Sequence, residues 1–226
     1  MSNYLLTPMT VTEINKLIGP NFIQSFQAEM DSILDPLRKH ITKGRPLSLG
    51  KELWEYAVTD SIAGSVWSGA GKSIVDVRIG TTIGIDVKSV SRATKGTGTT
   101  EASMFQTFQE ETKEYFKNGD STKIWELFVD GWIKKVKSIK DYYLIAIIRE
   151  KETLNCSLAC FKVTNHSLPY GISNCTFTKK SMKVLGIVDP DFASTIVYSS
   201  KTRLEIKFKK SLWNTPTYCL PIYKYK

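Results

Sequence analysis

Residues 74–88 form the segment of this chain whose pattern leaves the fewest folding options. Two short runs of alternating apolar and charged or small residues flank Gly80-Thr81-Thr82. Because successive side chains of a strand point to opposite faces, the apolar residues of both runs are predicted to share one face of a hairpin. The expected pairs are Ile79 with Ile83, Val77 with Ile85 and Val75 with Val87. A slip of one residue would carry all of these side chains to the wrong face, so the register is well specified.

The charged face of this hairpin is predicted to place Asp76 directly opposite Asp86. Like charges across a strand pair are unfavourable. Mg²⁺ removes the conflict, because it takes one or two carboxylates together with water and phosphate oxygens. Lys88, on the same face, would reach a metal-side water or a phosphate oxygen, which predicts a site for phosphodiester hydrolysis. The alternative is an exposed charged face with a cross-strand ion pair, which leaves the opposed aspartates unexplained.

Asp76 followed after ten residues by Asp86-Val87-Lys88 resembles the D…(D/E)xK signature of the PD-(D/E)xK nuclease superfamily, the fold of most type II restriction endonucleases. The order of elements is also similar, with a helix before the hairpin, a helix after it and then another strand. The resemblance covers residues 48–150, and Val75 stands where the family has a proline. It implies a restriction-endonuclease-like α/β (α+β) fold, with a central mixed β-sheet flanked by helices and extra C-terminal strands.

The resemblance also implies a third carboxylate on the helix before the hairpin. Residues 50–58 resemble that helix, and Glu55 is the expected residue, with Glu52 in reserve. Asp76, Asp86 and Glu55 would then hold one or two Mg²⁺ ions. Lys88 would orient or deprotonate the attacking water.

Two other tripeptides of the same form occur, Glu111–Lys113 and Glu205–Lys207. The second is a literal competitor because Pro190-Asp191 precedes it. Only 19 residues follow Lys207, too few for the helix and strand that complete the fold after the active hairpin. We therefore expect the site at Asp76, Asp86 and Lys88.

The distribution of charged residues along the chain predicts the kind of partner that the protein binds. The chain has a formal net charge of +9, and from residue 179 onward ten Lys and Arg face three Asp and Glu. A basic C-terminal quarter on a near-neutral body favours a polyanion such as double-stranded DNA, the alternative being a solvated lysine-rich surface. Arg203, Lys207 and Lys209 share one face of a predicted strand and are expected to contact DNA. Further expected DNA contacts lie just after the hairpin and on the next helix: Arg92, Lys95, Thr97, Thr99 and Gln106. A solvated loop is the alternative for residues 91–100.

Periodicity and capping signals predict the helices and strands of the chain. Helices are predicted from a Thr10 cap to Gly19, over 22–40, 48–62 and 102–118, and from an Asp120 cap to 136. Strands are predicted over 74–79, 83–90, 142–149, 154–164, 184–188, 195–198 and 203–208. We expect one domain over residues 1–226, comprising a helical N-terminal portion (1–47), a catalytic core (48–150) and a basic, strand-rich, DNA-contacting portion (151–226).

Several classes of protein are disfavoured. No run of 18 apolar residues predicts a membrane span, and no signal-peptide pattern is present, so a cytoplasmic protein with buried, reduced cysteines at 156 and 160 is expected. Residues 68–73 end like a phosphate loop, but Val66 occupies the position of its first glycine, so no nucleotide cofactor is expected.

These observations predict a Mg²⁺-dependent type II restriction endonuclease. The resemblance implies a homodimer that cuts a palindromic site and leaves 5′-phosphates. Two alternatives stay open: a DNA-binding protein without catalysis, and another nuclease of the same superfamily, such as a junction resolvase or repair enzyme.

Overall fold

A computed structural model describes thirteen stretches of the chain, and all structural statements below concern them: residues 6–37, 51–68, 75–92, 103–108, 111–127, 130, 139–150, 155–163, 175–177, 181–184, 196–198, 203–207 and 220–223. The helices are α1 (Val11–Ile18), α2 (Phe22–Leu34), α3 (Lys51–Asp60) and α4 (Glu111–Asn118). A 3₁₀ turn follows α2 at Asp35–Leu37, and residues 121–127 are also helical.

The strands form two sheets. The seven strands of the first are β1 (Leu6–Pro8), β2 (Ser65–Trp67), β3 (Val77–Ile79), β4 (Ile83–Arg92), β6 (Asp141–Glu150), β7 (Cys156–Val163) and β12 (Leu220–Tyr223). The five strands of the second are β5 (Ser103–Phe108), β8 (Cys175–Phe177), β9 (Ser181–Val184), β10 (Ile196–Tyr198) and β11 (Arg203–Lys207).

The first sheet is mixed. Its strand order is β1-β7-β6-β4-β3-β2, and β12 also pairs with β7. Strands β4 and β6 run parallel in continuous register from Ile83↔Asp141 to Arg92↔Glu150, while the other pairs of this sheet are antiparallel. A parallel pair needs a long crossover, and α4 lies within this one. The architecture is therefore α+β, with a mixed sheet and flanking helices, as the sequence predicts at this level.

Local signals account for the N-terminal helices. Thr10 caps α1 with a complete capping box, in which Glu13 N–H donates to Thr10 Oγ1 and Thr10 N–H donates to Glu13 Oε2. Gly19 ends α1 at φ 96°, a conformation that favours glycine. Helix α2 buries one residue per turn: Phe22, Phe26, Met30 and Leu34. The predicted extension of α2 to residue 40 is replaced at Asp35 by the 3₁₀ turn.

The first sheet is covered on both faces. Buried residues of α1, α2 and α3 pack with one set of strand side chains, including Val77, Ile85 and Val87. The opposite face carries a second buried set, with Leu144, Ala146 and Phe161 among its members. Cys156 and Cys160 are buried in the first cluster, and burial raises the pKa of the Cys160 thiol to about 12. The prediction of buried thiols on one strand face is confirmed.

The stretch before α4 differs from the prediction. The sequence predicts a helix over 102–118, whereas residues 103–108 form β5 and only Glu111–Asn118 is helical. Strand β5 pairs with β11, about a hundred residues later in the chain. Met, Thr and two Phe residues suit a pleated surface once such a partner strand is available. Local periodicity cannot reveal that partner.

The C-terminal strands are also only partly as predicted. Strands β10 and β11 agree with the predicted 195–198 and 203–208. Strand β9 spans Ser181–Val184, and residues 185–188 of the predicted strand 184–188 lie outside the described residues. Strands β1, β2, β8 and β12 were not predicted. The three predicted portions of the chain interleave, because β5 joins the C-terminal strands and β12 returns to the first sheet. Among the described residues, no helix combines the length and apolar character needed to cross a membrane.

Candidate functional site

Strands β3 and β4 pair in the predicted register. Val77 pairs with Ile85 and Ile79 pairs with Ile83. The chain departs from the prediction at Asp76, whose N–H donates to the carbonyl of Ile85 (3.1 Å), one residue out of register. The predicted Val75–Val87 and Asp76–Asp86 strand pairs therefore do not form, and the ladder ends at Val77.

The side chain of Asp76 accounts for this departure. Its Oδ2 accepts the N–H of Val87 (2.8 Å), so the carboxylate takes the place of a main-chain acceptor beside β4. Val75 consequently does not share a face with Val77. Its Cγ1 lies close to Gly84, on the face of β4 that also carries Asp86 and Lys88.

Lys88 forms an ion pair with Asp76 across the two segments. Its Nζ lies 3.1 Å from Asp76 Oδ2, and the side chains of Lys88 and Asp76 are only 15% and 16% exposed. The same carboxylate oxygen therefore binds a main-chain N–H and an ammonium group. These two contacts fix Asp76 beside β4 although it lies outside a strand.

Asp86 is 2% exposed and is held from the neighbouring strand. The hydroxyl of Tyr142 on β6 donates a hydrogen bond to Asp86 Oδ2. Burial raises the pKa of Tyr142 well above its usual value, and the charge of Asp86, its hydrogen bond and the charge of Asp76 act in the same direction. Tyr142 therefore remains a hydrogen-bond donor to Asp86 at neutral pH.

Glu55 enters the site from α3. It is 3% exposed, and its Oε2 accepts a hydrogen bond from Trp67 Nε1–H on β2 (3.2 Å). Glu52, the reserve residue, is exposed. Of the two candidate helix carboxylates, Glu55 is therefore the buried one.

The other three predicted site residues all affect the pKa of Lys88. Burial lowers the pKa of Lys88, but the negative charges of Asp86, Asp76 and Glu55, together with the hydrogen bond to Asp76, outweigh burial and leave this pKa raised. Lys88 is thus an ammonium group among three carboxylates. The alternative, an exposed charged hairpin face with an ion pair, holds in part. The ion pair is present between Lys88 and Asp76, but the face is not exposed, since Asp86 and Glu55 are buried and the pair is largely enclosed.

Enclosed charges of this kind are costly. A buried carboxylate loses its hydration, and one ammonium compensates only part of the charge of three carboxylates. Such clusters of titratable groups with perturbed pKa values are typical of functional sites. This enclosed cluster is therefore a stronger indication of a functional site than a surface ion pair would be.

Asp76 and Asp86 are the residues of the site that would hold a Mg²⁺ ion. In the part of the chain that the structure describes, no three His, Cys, Asp or Glu residues are grouped closely enough to hold one metal ion together. Mg²⁺ needs only one or two carboxylates, because water and substrate phosphate oxygens supply its other ligands. Asp76 and Asp86 fit that requirement, and Glu55 contributes negative charge beside them.

The expected DNA-contacting residues divide into three groups. Arg92 is the last residue of β4. Gln106 lies on β5 rather than on a helix and pairs with Glu205 of β11, the strand that also contains Arg203 and Lys207. Lys95, Thr97, Thr99 and Lys209 lie outside the described residues. The structure therefore places Gln106, Arg203 and Lys207 on one pair of strands, and the helix predicted for Gln106 is not formed there.

The two competing tripeptides lie on different elements. Glu111–Lys113 lies on α4, and Glu205–Lys207 lies on β11.

Sequence reasoning did not identify three residues that support the site. Tyr142 donates a hydrogen bond to Asp86, and Trp67 donates one to Glu55. Arg149 connects β4, which carries Lys88, to α3, which carries Glu55. Arg149 Nε–H donates to Ser89 Oγ (2.8 Å), and its guanidinium lies 5.0 Å from the centre of the Trp54 ring. The contacts of Tyr142 and Arg149 span 56 and 60 residues of sequence, and the Trp67–Glu55 bond spans 12, so none follows a helix or strand repeat.

Comparison of this chain with models of protein families, with curated proteins and with solved structures finds no match. The site is therefore interpreted from its own geometry and chemistry.

Proposed function

We propose that this protein is a Mg²⁺-dependent endonuclease of the PD-(D/E)xK type that hydrolyses phosphodiester bonds of double-stranded DNA. The observation that carries the proposal is the grouping of Lys88 with Asp76, Asp86 and Glu55 in an enclosed site. These are the four residues that the motif resemblance selects. The order α3, β3–β4, α4, β6 contains the helix, hairpin, helix and strand that the resemblance implies, with β2 before the hairpin and β5 after it as additional strands.

The residues of the site suit phosphodiester hydrolysis. Asp76 and Asp86 would hold the divalent ion, which when bound supplies a Lewis acid for the scissile phosphate. Lys88 is an ammonium group that donates hydrogen bonds to a phosphate oxygen or to the attacking water and offsets the charge that develops on phosphorus. Glu55 adds negative charge from α3, and Trp67 fixes its carboxylate.

The finer proposal is site-specific cleavage by a homodimer, as in type II restriction enzymes. Two copies would place one site on each strand of a palindrome. The basic residues of the C-terminal quarter support DNA as the substrate.

Plasmid cleavage tests the function. The wild-type chain is expected to cut double-stranded DNA with Mg²⁺ and not with EDTA, with discrete fragments for a site-specific enzyme and a smear for a non-specific one. Lys88→Ala, once circular dichroism has shown it to be folded, is expected to lower the cleavage rate at least about 10²-fold while DNA binding is retained, because it removes a charge that acts on the transition state. Gel mobility shift measures binding separately.

Lys123→Ala is the matched control, because Lys123 is an exposed lysine paired with Glu126 at 2.8 Å and lies outside the site. It is expected to cut like the wild type. A dead Lys207→Ala variant beside an active Lys88→Ala variant would instead place catalysis at the C-terminal tripeptide. Retained binding without cleavage by the wild type in Mg²⁺ or Mn²⁺ would contradict the enzyme and leave the DNA-binding protein.

A further inference from the structure

Tyr142 is a hydrogen-bond partner of Asp86 that the motif does not contain. It is fully buried on β6 and pairs in parallel register with Gly84, two residues before Asp86. Its hydroxyl donates to Asp86 Oδ2 across 56 residues of sequence. The contact therefore depends on the β4–β6 pairing and not on local structure.

A phenylalanine ring would fill the same space as Tyr142, but it would lack the hydroxyl that donates to Asp86. A tyrosine in an interior normally finds an acceptor for its O–H, and a buried carboxylate needs donors in place of water. Asp76 Oδ2 is tied by Val87 N–H and Lys88, and Asp86 Oδ2 is tied by Tyr142. Both aspartates therefore have one oxygen fixed by the protein, which limits how each carboxylate can rotate.

We propose that Tyr142 is a positioning residue that orients Asp86 for binding a divalent cation. The inference rests on the proposed function, since it assigns a role in holding the ion that the nuclease requires. Hydrogen bonds from outside a metal's ligand set orient the ligands, and their loss typically weakens metal affinity or activity by about 10- to 100-fold. Tyr142 is expected to act in this way through Asp86 without touching the substrate.

The test compares Tyr142→Phe with Tyr143→Phe. Both variants remove one phenolic oxygen from the same strand, but Tyr143 belongs to the core cluster on the opposite face of the sheet. Mn²⁺ binding is measured by titration calorimetry on the protein without DNA, after thermal unfolding has shown that each variant is folded. Tyr142→Phe is expected to weaken Mn²⁺ binding by about 10- to 100-fold and to raise the Mg²⁺ concentration for half-maximal cleavage, while Tyr143→Phe matches the wild type.

The outcomes separate the inference from the function. If the wild type binds Mn²⁺ and cuts DNA but Tyr142→Phe binds Mn²⁺ equally well, Tyr142 has only a packing role and the inference fails alone. If both variants weaken binding equally, the effect is general and the inference also fails. If the wild type neither binds Mn²⁺ nor cuts DNA, the proposed function and the inference fail together.

A second measurement covers the case in which Tyr142→Phe does not fold. Replacement of Tyr142 by 3-fluorotyrosine keeps both the ring and the hydroxyl, and a chain labelled at position 143 provides the control. The ¹⁹F resonance at position 142 is expected to shift and saturate as Mg²⁺ is added, with little change at position 143. No shift at 142, or equal shifts at both positions, overturns the proposal.

Discussion

Three carboxylates share the site with one ammonium group, which gives a formal charge of −2. Asp86→Asn reduces this charge by one unit and keeps an oxygen that accepts the Tyr142 hydroxyl. We expect this variant to lose cleavage in Mg²⁺. In EDTA its free energy of unfolding is expected to rise by about 0.5–2 kcal/mol, since functional sites commonly retain strain that a neutral residue relieves. Urea denaturation followed by circular dichroism measures the change.

Lys88→Met provides the opposite case at the same site. It removes the ammonium and leaves the carboxylates enclosed without it, so the free energy of unfolding is expected to fall by about 3–5 kcal/mol. A destabilised Asp86→Asn variant, or a Lys88→Met variant as stable as the wild type, would contradict this electrostatic description of the site.

At the scale of single residues, the sequence pattern selects the candidate site residues but does not reveal the contacts that hold them. Alternation places Asp76, Asp86 and Lys88 on one face, because strand periodicity decides which side chains share a face, whereas Glu55 is implied only by the resemblance of its helix to that of the nuclease family. The pattern did not predict that the carboxylate of Asp76 would bind the Val87 N–H and end the ladder. Alternation assumes that main-chain groups pair with one another, and here a side chain replaces one of them.

At the scale of elements, the position of β4 depends on a close contact at Gly84. A Cβ atom there would lie 2.7 Å from Ile139 Cδ1 and 2.9 Å from Val75 Cγ1, both shorter than normal packing allows. Gly84→Ala is therefore expected to lower the free energy of unfolding by about 1–3 kcal/mol, the usual cost of an overpacked core. Because β4 carries Asp86 and Lys88, the cleavage rate is expected to fall as well.

A compensating change makes this prediction specific. Ile139→Val removes the Cδ1 atom nearest the added methyl group, so the double variant is expected to recover part of the lost stability in urea denaturation. Equal losses in Gly84→Ala with and without Ile139→Val would show that overpacking at Ile139 is not the cause.

Element prediction succeeded where the information is local and failed where it is not. The capping box of α1 and the turn at Gly80 lie within a few residues of the structures they specify. Strand β5 and the short strands β1 and β12 form because of partners far along the chain, namely β11 and β7. Pairing over such distances is determined by the packing of the whole domain, so a short stretch of sequence carries little information about it.

At the scale of the whole molecule, the charge distribution predicts how DNA binding responds to salt. The excess positive charge lies mainly from residue 179 onward, and β11, which contains Arg203 and Lys207, pairs with β5. Each phosphate contact releases counterions, so the logarithm of the affinity falls with the logarithm of the salt concentration by about 0.9 per contact. We expect a double Lys207→Ala, Lys209→Ala variant to reduce this slope by about 2 and to weaken binding for every DNA sequence alike.

Fluorescence anisotropy on a labelled duplex measures the slope, with Lys88→Ala as the background so that Mg²⁺ is present and the DNA stays intact. The control removes two exposed lysines from the near-neutral part of the chain, Lys16 and Lys123. Its slope is expected to equal that of the background, because the loss of net charge is the same and only the position differs. Equal slopes for the two double variants would mean that net charge and not the C-terminal surface attracts the DNA, and would remove β11 from the proposed interface.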